Sequence, residues 1–185
     1  MCWSDLHAYG EYMYDVALMI ERELTDLDTD QVVSLHEGLD EPVTYHLLLP
    51  VEDAAAEMAT SLGALGGVEF MAPPATQDFS EVQKRVTEAG RAELEASIAL
   101  LTAKGQKVTG RLTAEDPIAS LIALVAEHSA AEAIILTQPH LVAEFFHLDW
   151  TSRARRKLDV PTLHLLEHQT FDGQSSGGGE GASLI

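Results

Sequence analysis

A parallel α/β sheet with right-handed crossovers is the fold class the sequence predicts, on three observations. From Val43 onward, short apolar runs alternate with stretches of helical period. Glycine and proline punctuate the boundaries at Gly66-Gly67, Pro73-Pro74 and Gly105. Asp116-Pro117 supplies a helix opening, a carboxylate to cap free amides followed by a proline in the first turn, where no donor is lost.

Taken in order, Val43–Val51 is expected as the first strand and Glu52–Leu65 as the first helix, stopped by the paired glycines. Val68–Met71 reads as a short second strand. Phe79–Lys104 is the longest helix, with Val82, Val86, Leu94, Ile98 and Leu101 inward and Gly105 at its end. Lys107–Leu112 gives a third strand, and the Asp116-Pro117 helix runs to about Ser129. Ala133–Thr137 is the fourth strand, Leu141–Leu158 is mainly helical, and Pro161–Leu166 closes the set. Gly63, Gly66 and Gly67 follow a helix and not a strand, so they read as a helix terminator and not as a dinucleotide fingerprint.

Ahead of this lies a segment of different character. Leu6, Tyr9, Met13, Val16, Ile20, Leu24 and Leu27 recur at three- and four-residue steps, which predicts a helix over residues 5–27, followed by a short helical stretch around Thr29–His36. Residues 1–42 hold eleven Asp or Glu against Arg22 alone. They are expected to form an acidic helical arm, separate from an α/β domain at residues 43–168, with its apolar stripe buried on that domain or on a second copy. From residue 169 the glycines and serines offer little apolar surface to repay ordering, so 169–185 is expected as a flexible tail.

The 185 residues, 46% of them apolar, suit one core of ordinary size. Cys2 is the single cysteine, which excludes an intrachain disulfide and a thiolate cluster and fits a reducing cytoplasm. No apolar run approaches the roughly 20 residues of a spanning helix, and the amino-terminal region carries acids where a secretory signal carries bases. Thirty acidic against eleven basic side chains give a net charge of −19, which repels a polyanion. Neither nucleic acid nor a membrane is an expected partner, and a cytoplasmic location is.

The run Glu115-Asp116-Pro117-Ile118, the strand Ala131-Glu132-Ala133-Ile134-Ile135-Leu136 and the closing Val160-Pro161-Thr162-Leu163-His164-Leu165 together resemble the second half of a universal stress protein. The resemblance covers roughly residues 43–168. It implies a five-stranded parallel sheet in the order 3-2-1-4-5, helices on both faces, and a homodimer paired through the last strand. Ligands in such sheets sit beyond the carboxyl ends of the strands where the order reverses, here after Leu49, Leu112 and Leu136. ATP-binding members hold phosphate in a glycine-rich loop after strand four, but here that window begins Gln138-Pro139-His140-Leu141, and no glycine occurs between Gly110 and Gly173. No cofactor is therefore expected, and the motif does not support ATP or AMP.

The candidate ligand-binding residues are Asp53, His140, His147, Asp149 and Arg153. Asp53 follows the expected first strand, where the family resemblance implies an acid near an adenine ring, although a carboxylate there also suits a helix start. His147, Asp149 and Arg153 occupy the bulky Phe145–Arg153 segment, where amides, an imidazole and a guanidinium offer themselves to a small anion; a helix cap with an Asp149–Arg153 ion pair is the plainer account. The Arg153, Arg155, Arg156 and Lys157 cluster points to several sides of a helix, as expected for pairing with the acidic arm and not for one phosphate site. The eight histidines show no His-x-x-x-His pair within a helix, so no metal site is expected; His46 and His164 read as strand residues with satisfied ring nitrogens. Without a Gly-x-Ser-x-Gly elbow or a cysteine next to a base, an enzyme is not the expected class.

The sequence thus points to a non-catalytic, homodimeric stress-response or regulatory module that binds a protein partner or a small anionic ligand. Two alternatives stand beside it: an adenine-nucleotide-binding or hydrolysing protein with a non-standard phosphate site, and an interaction module working through the acidic arm.

Overall fold

The computed structural model describes residues 13–51, 79–137 and 157–167. Their elements, in chain order, are β1 (Tyr14–Ile20), α1 (Asp26–Ser34), β2 (Val43–Pro50), α2 (Phe79–Ala103), β3 (Lys107–Thr113), α3 (Pro117–His128), β4 (Glu132–Thr137) and β5 (Thr162–Leu166). All five strands are parallel, in the order β3-β2-β1-β4-β5. The expected five-stranded α/β fold and its 3-2-1-4-5 order are thus what the chain adopts.

The identity of the strands is corrected. Residues 14–20, expected inside a helix over 5–27, form the central strand, hydrogen-bonded to β2 on one side and β4 on the other. The three- and four-residue spacing arose within an uninterrupted run, Val16-Ala17-Leu18-Met19-Ile20, every residue of which is buried. A central parallel strand covered on both faces requires such a run, whereas a helix leaves one side for water. The expected boundary at residues 42 and 43 therefore falls between two neighbouring strands of one sheet, and Val43–Pro50 becomes the second strand. Val68–Met71, the helix expected at 52–65, the tail, and all but the last two residues of the helix expected at 141–158 lie outside the described residues.

Each face of the sheet carries its own core. Val16, Leu18 and Ile20 of β1 point to one side, where Tyr45, Leu47, Leu49, Ile134, Leu136 and Leu165 meet Val32 of α1 and Leu94 and Leu101 of α2. Ala17 and Met19 point to the other, against Leu48, Ala133 and Ile135 of the sheet, Leu121 and Leu124 of α3, and Leu158. Burying a leucine such as Leu18 completely contributes about 1.5–3 kcal/mol. Gly110 lets α2 approach β3, because a β-carbon there would stand 2.9 Å from both Leu94 and Ile98.

Helix ends follow their local chemistry. Thr25 and Asp28 form a reciprocal capping box at α1, and the Asp116 carboxylate accepts from the Ala119 amide at 2.8 Å with Pro117 in the first turn of α3. Gly105 ends α2 with φ +80, a backbone state that glycine adopts without strain. One part of the acidic segment pairs as its charge suggests: Lys104 reaches Asp30 at 2.5 Å, tying α2 to α1.

Candidate functional site

With Tyr14–Ile20 at the centre, the order reverses between β1 and β4, and the rim of interest includes the residues directly after Ile20. The chain there reads Glu21-Arg22-Glu23, which sequence reasoning had placed inside a helix. Opposite it, Glu167 follows β5 and donates its backbone N–H to Thr137 at 2.8 Å, extending the β4–β5 ladder by one bond. Arg22 Nε lies 3.4 Å from Glu167 Oε2, so the pair crosses above β4.

Glu167 is 1% exposed, and apart from the Arg22 ion pair its carboxylate has no well-formed hydrogen bond among the described residues. Burial raises its pKa to about 7, and the charges of Glu21 and Asp28 push the same way. The Arg22 guanidinium and the Glu21 backbone amide oppose the shift without cancelling it. One turn beyond Asp28 on α1, Gln31 is 5% exposed, and both its amide oxygen and its amide nitrogen are unpartnered among the described residues. An orphaned amide at the depth of Gln31 costs about 1–3 kcal/mol unless something else meets it.

On the other face of the same rim, Thr137 and His164 share a 2.8 Å hydrogen bond, and desolvation holds the His164 ring below the usual histidine range. Thr113 and Ser120 bond at 2.8 Å at the ends of β3 and α3. Beside the start of α3 lies an open groove of about 590 Å³ lined by Asp116, Ile118, Ala119, Ile122 and Lys157.

The amino end of the sheet holds two further networks. His36, just past α1, places Nδ1 2.7 Å from the Tyr45 hydroxyl and bonds the Glu132 carboxylate through Nε2, with the Tyr14 ring alongside. Burial, with the nearby Glu132 charge, raises both tyrosine pKa values. On the opposite face, His46 bonds Asp15 at 2.9 Å and Thr109 at 2.7 Å and stacks on His128. The satisfied rings expected of His46 and His164 are found. Asp53, His140, His147, Asp149 and Arg153 all lie outside the described residues. The described residues contain no cluster of three or more metal-ligating side chains and no helix long and apolar enough to cross a membrane.

No family model matches the sequence, and no curated protein matches it. Solved structures do. Hypothetical protein MJ0577 superposes with a TM-score of 0.56 at 13% identity, over 85% of this chain and 99% of that one. A universal stress protein from Archaeoglobus fulgidus aligns at 0.49 with 10% identity, over 84% and 94% of the two chains. A universal stress protein family member from Burkholderia pseudomallei aligns at 0.48 with 19% identity, over 83% and 95%.

The fold is universal stress protein-like. In this stress-protein-like sheet, Arg22, Gln31 and Glu167 went unnoticed in the sequence because their roles depend on which strand is central. One signal was available: Arg22 is the lone base in the first 42 residues, and it stands two positions past the longest uninterrupted apolar run of that segment, Val16–Ile20.

Proposed function

We propose that the chain is a stress-protein-like binding module that works by occupancy and not by hydrolysis, taking a small ligand at the carboxyl ends of β1, β4 and β5. The observation that carries this reading is Glu167, a buried carboxyl at the topological switch with no well-formed hydrogen bond among the described residues apart from the Arg22 ion pair. Gln31 adds an unpartnered amide on the same side of the sheet. Glu21, Asp28 and Glu167 outnumber Arg22 there, so the site favours a ligand that brings hydrogen-bond donors or positive charge over a triphosphate.

This choice replaces the small anionic ligand expected from the Phe145–Arg153 segment, which lies outside the described residues. A homodimer belongs to the same reading. Among the described residues β5 is an edge strand of apolar character, Thr162-Leu163-His164-Leu165-Leu166, whereas the β3 edge carries the exposed charges Lys107 and Arg111 that discourage pairing. A cytoplasmic, regulatory or stress-response role fits a module of this kind.

The reading is tested by thermal shift and calorimetry with adenosine, agmatine and spermidine, against ATP and inorganic phosphate. Binding of at least one donor-bearing probe, lost in Glu167→Ala, supports it. Hydrolysis of ATP, or binding of ATP alone, overturns it.

A further inference from the structure

At the amino end of the sheet, on the face covered by α3, three strands bring together side chains far apart in sequence. Parallel register sets His46 of β2 beside Thr109 of β3 and beside Ala17 of β1, with Asp15 two residues earlier on that same face. His46 Nε2 lies 2.9 Å from Asp15 Oδ1, and His46 Nδ1 lies 2.7 Å from Thr109 Oγ1. An ionised carboxylate only accepts, so in the neutral ring Nε2 carries the proton and donates it to Asp15. Nδ1 then offers its lone pair, and the Thr109 hydroxyl donates to it.

Hydroxyl, imidazole and carboxylate in that sequence of bonds are the parts of an activated nucleophile. We propose that Thr109 is a reactive threonine, with His46 as its general base and Asp15 as the positioning residue, and that it accepts an acyl group from an activated ester.

Access differs across the trio in the way this requires. His46 is 4% exposed and its ring is fixed against His128, with centroids 3.6 Å apart and planes 15° apart. Thr109 is exposed, and α3 packs chiefly over β1 and β2. Arg111, two residues along the same face of β3, is also exposed and pairs with Glu127. Cross-sheet satisfaction of His46 explains the two hydrogen bonds equally well, but it gives Thr109 no advantage over Thr102, another exposed threonine.

In the proposed step Thr109 Oγ attacks the acyl carbon while its proton passes to His46 Nδ1. The bond from the acyl carbon to the leaving oxygen breaks, and the leaving group departs with the electron pair. His46 returns its proton to solvent, and the product is a threonine ester. One such event per chain is sufficient, and the site lies at the opposite end of the strands from the ligand rim, so it stands or falls independently of the binding reading.

The test treats the full chain with p-nitrophenyl acetate and locates the label by peptide mass mapping. The expected result is one acetyl group on Thr109, retained in Thr109→Ser, absent in Thr109→Val, and formed about 10²-fold or more slowly in Asp15→Asn at unchanged thermal stability. Acetylation of lysines alone, or label at the same rate elsewhere in Thr109→Val, overturns the proposal. Thr109→Val keeps size and β-branching, so the experiment does not depend on whether a His46 variant folds.

Discussion

Arg22 Nε and Glu167 Oε2 stand 3.4 Å apart, joining the end of β1 to the end of β5 across the intervening β4. The guanidinium side chain is 46% exposed and the carboxylate 2%, so the pair has one wet partner and one dry one. Such a pair stabilises little by itself; its larger effect is to keep a buried acid from being wholly uncompensated.

The pH dependence of stability follows from that acid. The native Glu167 carboxyl titrates at about 7 against an ordinary value of 4.5, so between these limits the folded chain holds more protons than the unfolded chain. Stability from this group therefore falls as pH rises from 4.5 to 7, by about 3 kcal/mol in all, and the loss is complete above that window. Glu167→Gln removes the titration. Urea unfolding at pH 5 and pH 8 is expected to show the variant gaining on the wild type at the higher pH.

A second expectation concerns the His36 network. The ring links the end of α1 to Tyr45 of β2 and Glu132 of β4, and its loss leaves the Glu132 carboxylate without this partner and the buried Tyr45 hydroxyl with the Val32 carbonyl at 3.5 Å. His36→Ala is expected to cost about 2–3 kcal/mol, and Glu132→Gln, which keeps one acceptor, less. Chemical denaturation of both variants distinguishes the two costs.

Gly110 gives a steric test of how α2 lies on β3. Its β-carbon would meet the ends of Leu94, which is buried, and of the half-buried Ile98, so one or both must shift. Gly110→Ala is expected to destabilise by roughly 1–3 kcal/mol. A neutral or stabilising result would place α2 farther from the strand.

The centrality of β1 yields the sharpest difference between sequence and structure. A chain beginning at residue 43 lacks the strand that joins β2 to β4, so it is expected to show no cooperative thermal transition. A detachable arm would leave that fragment folded.

Much of the architecture was legible because its signals are local. Asp116-Pro117 opens a helix by capping chemistry that needs no tertiary partner, Gly105 closes one, and the apolar runs of β2, β3, β4 and β5 lie where alternation placed them. Val16–Ile20 was misread because an apolar run five residues long satisfies helical and strand spacing alike, and only its neighbours in the sheet decide. The same ambiguity hid the site. Arg22 and Glu167 are 145 positions apart, and nothing in either neighbourhood announces the other until β1 and β5 are set on the two sides of β4. His46, Asp15 and Thr109 were invisible as a group for that reason too.

The central claim, a donor-bearing ligand held at the carboxyl ends of β1, β4 and β5, is tested most directly by amide chemical-shift mapping during titration with whichever of adenosine, agmatine or spermidine raises the melting temperature. The account predicts shifts concentrated at Glu21–Glu23, Gln31, Thr137 and Glu167, and absent from Glu167→Ala. Shifts gathered instead around Asp15, His46 and Thr109, or no saturable shift with any of the three, would contradict it.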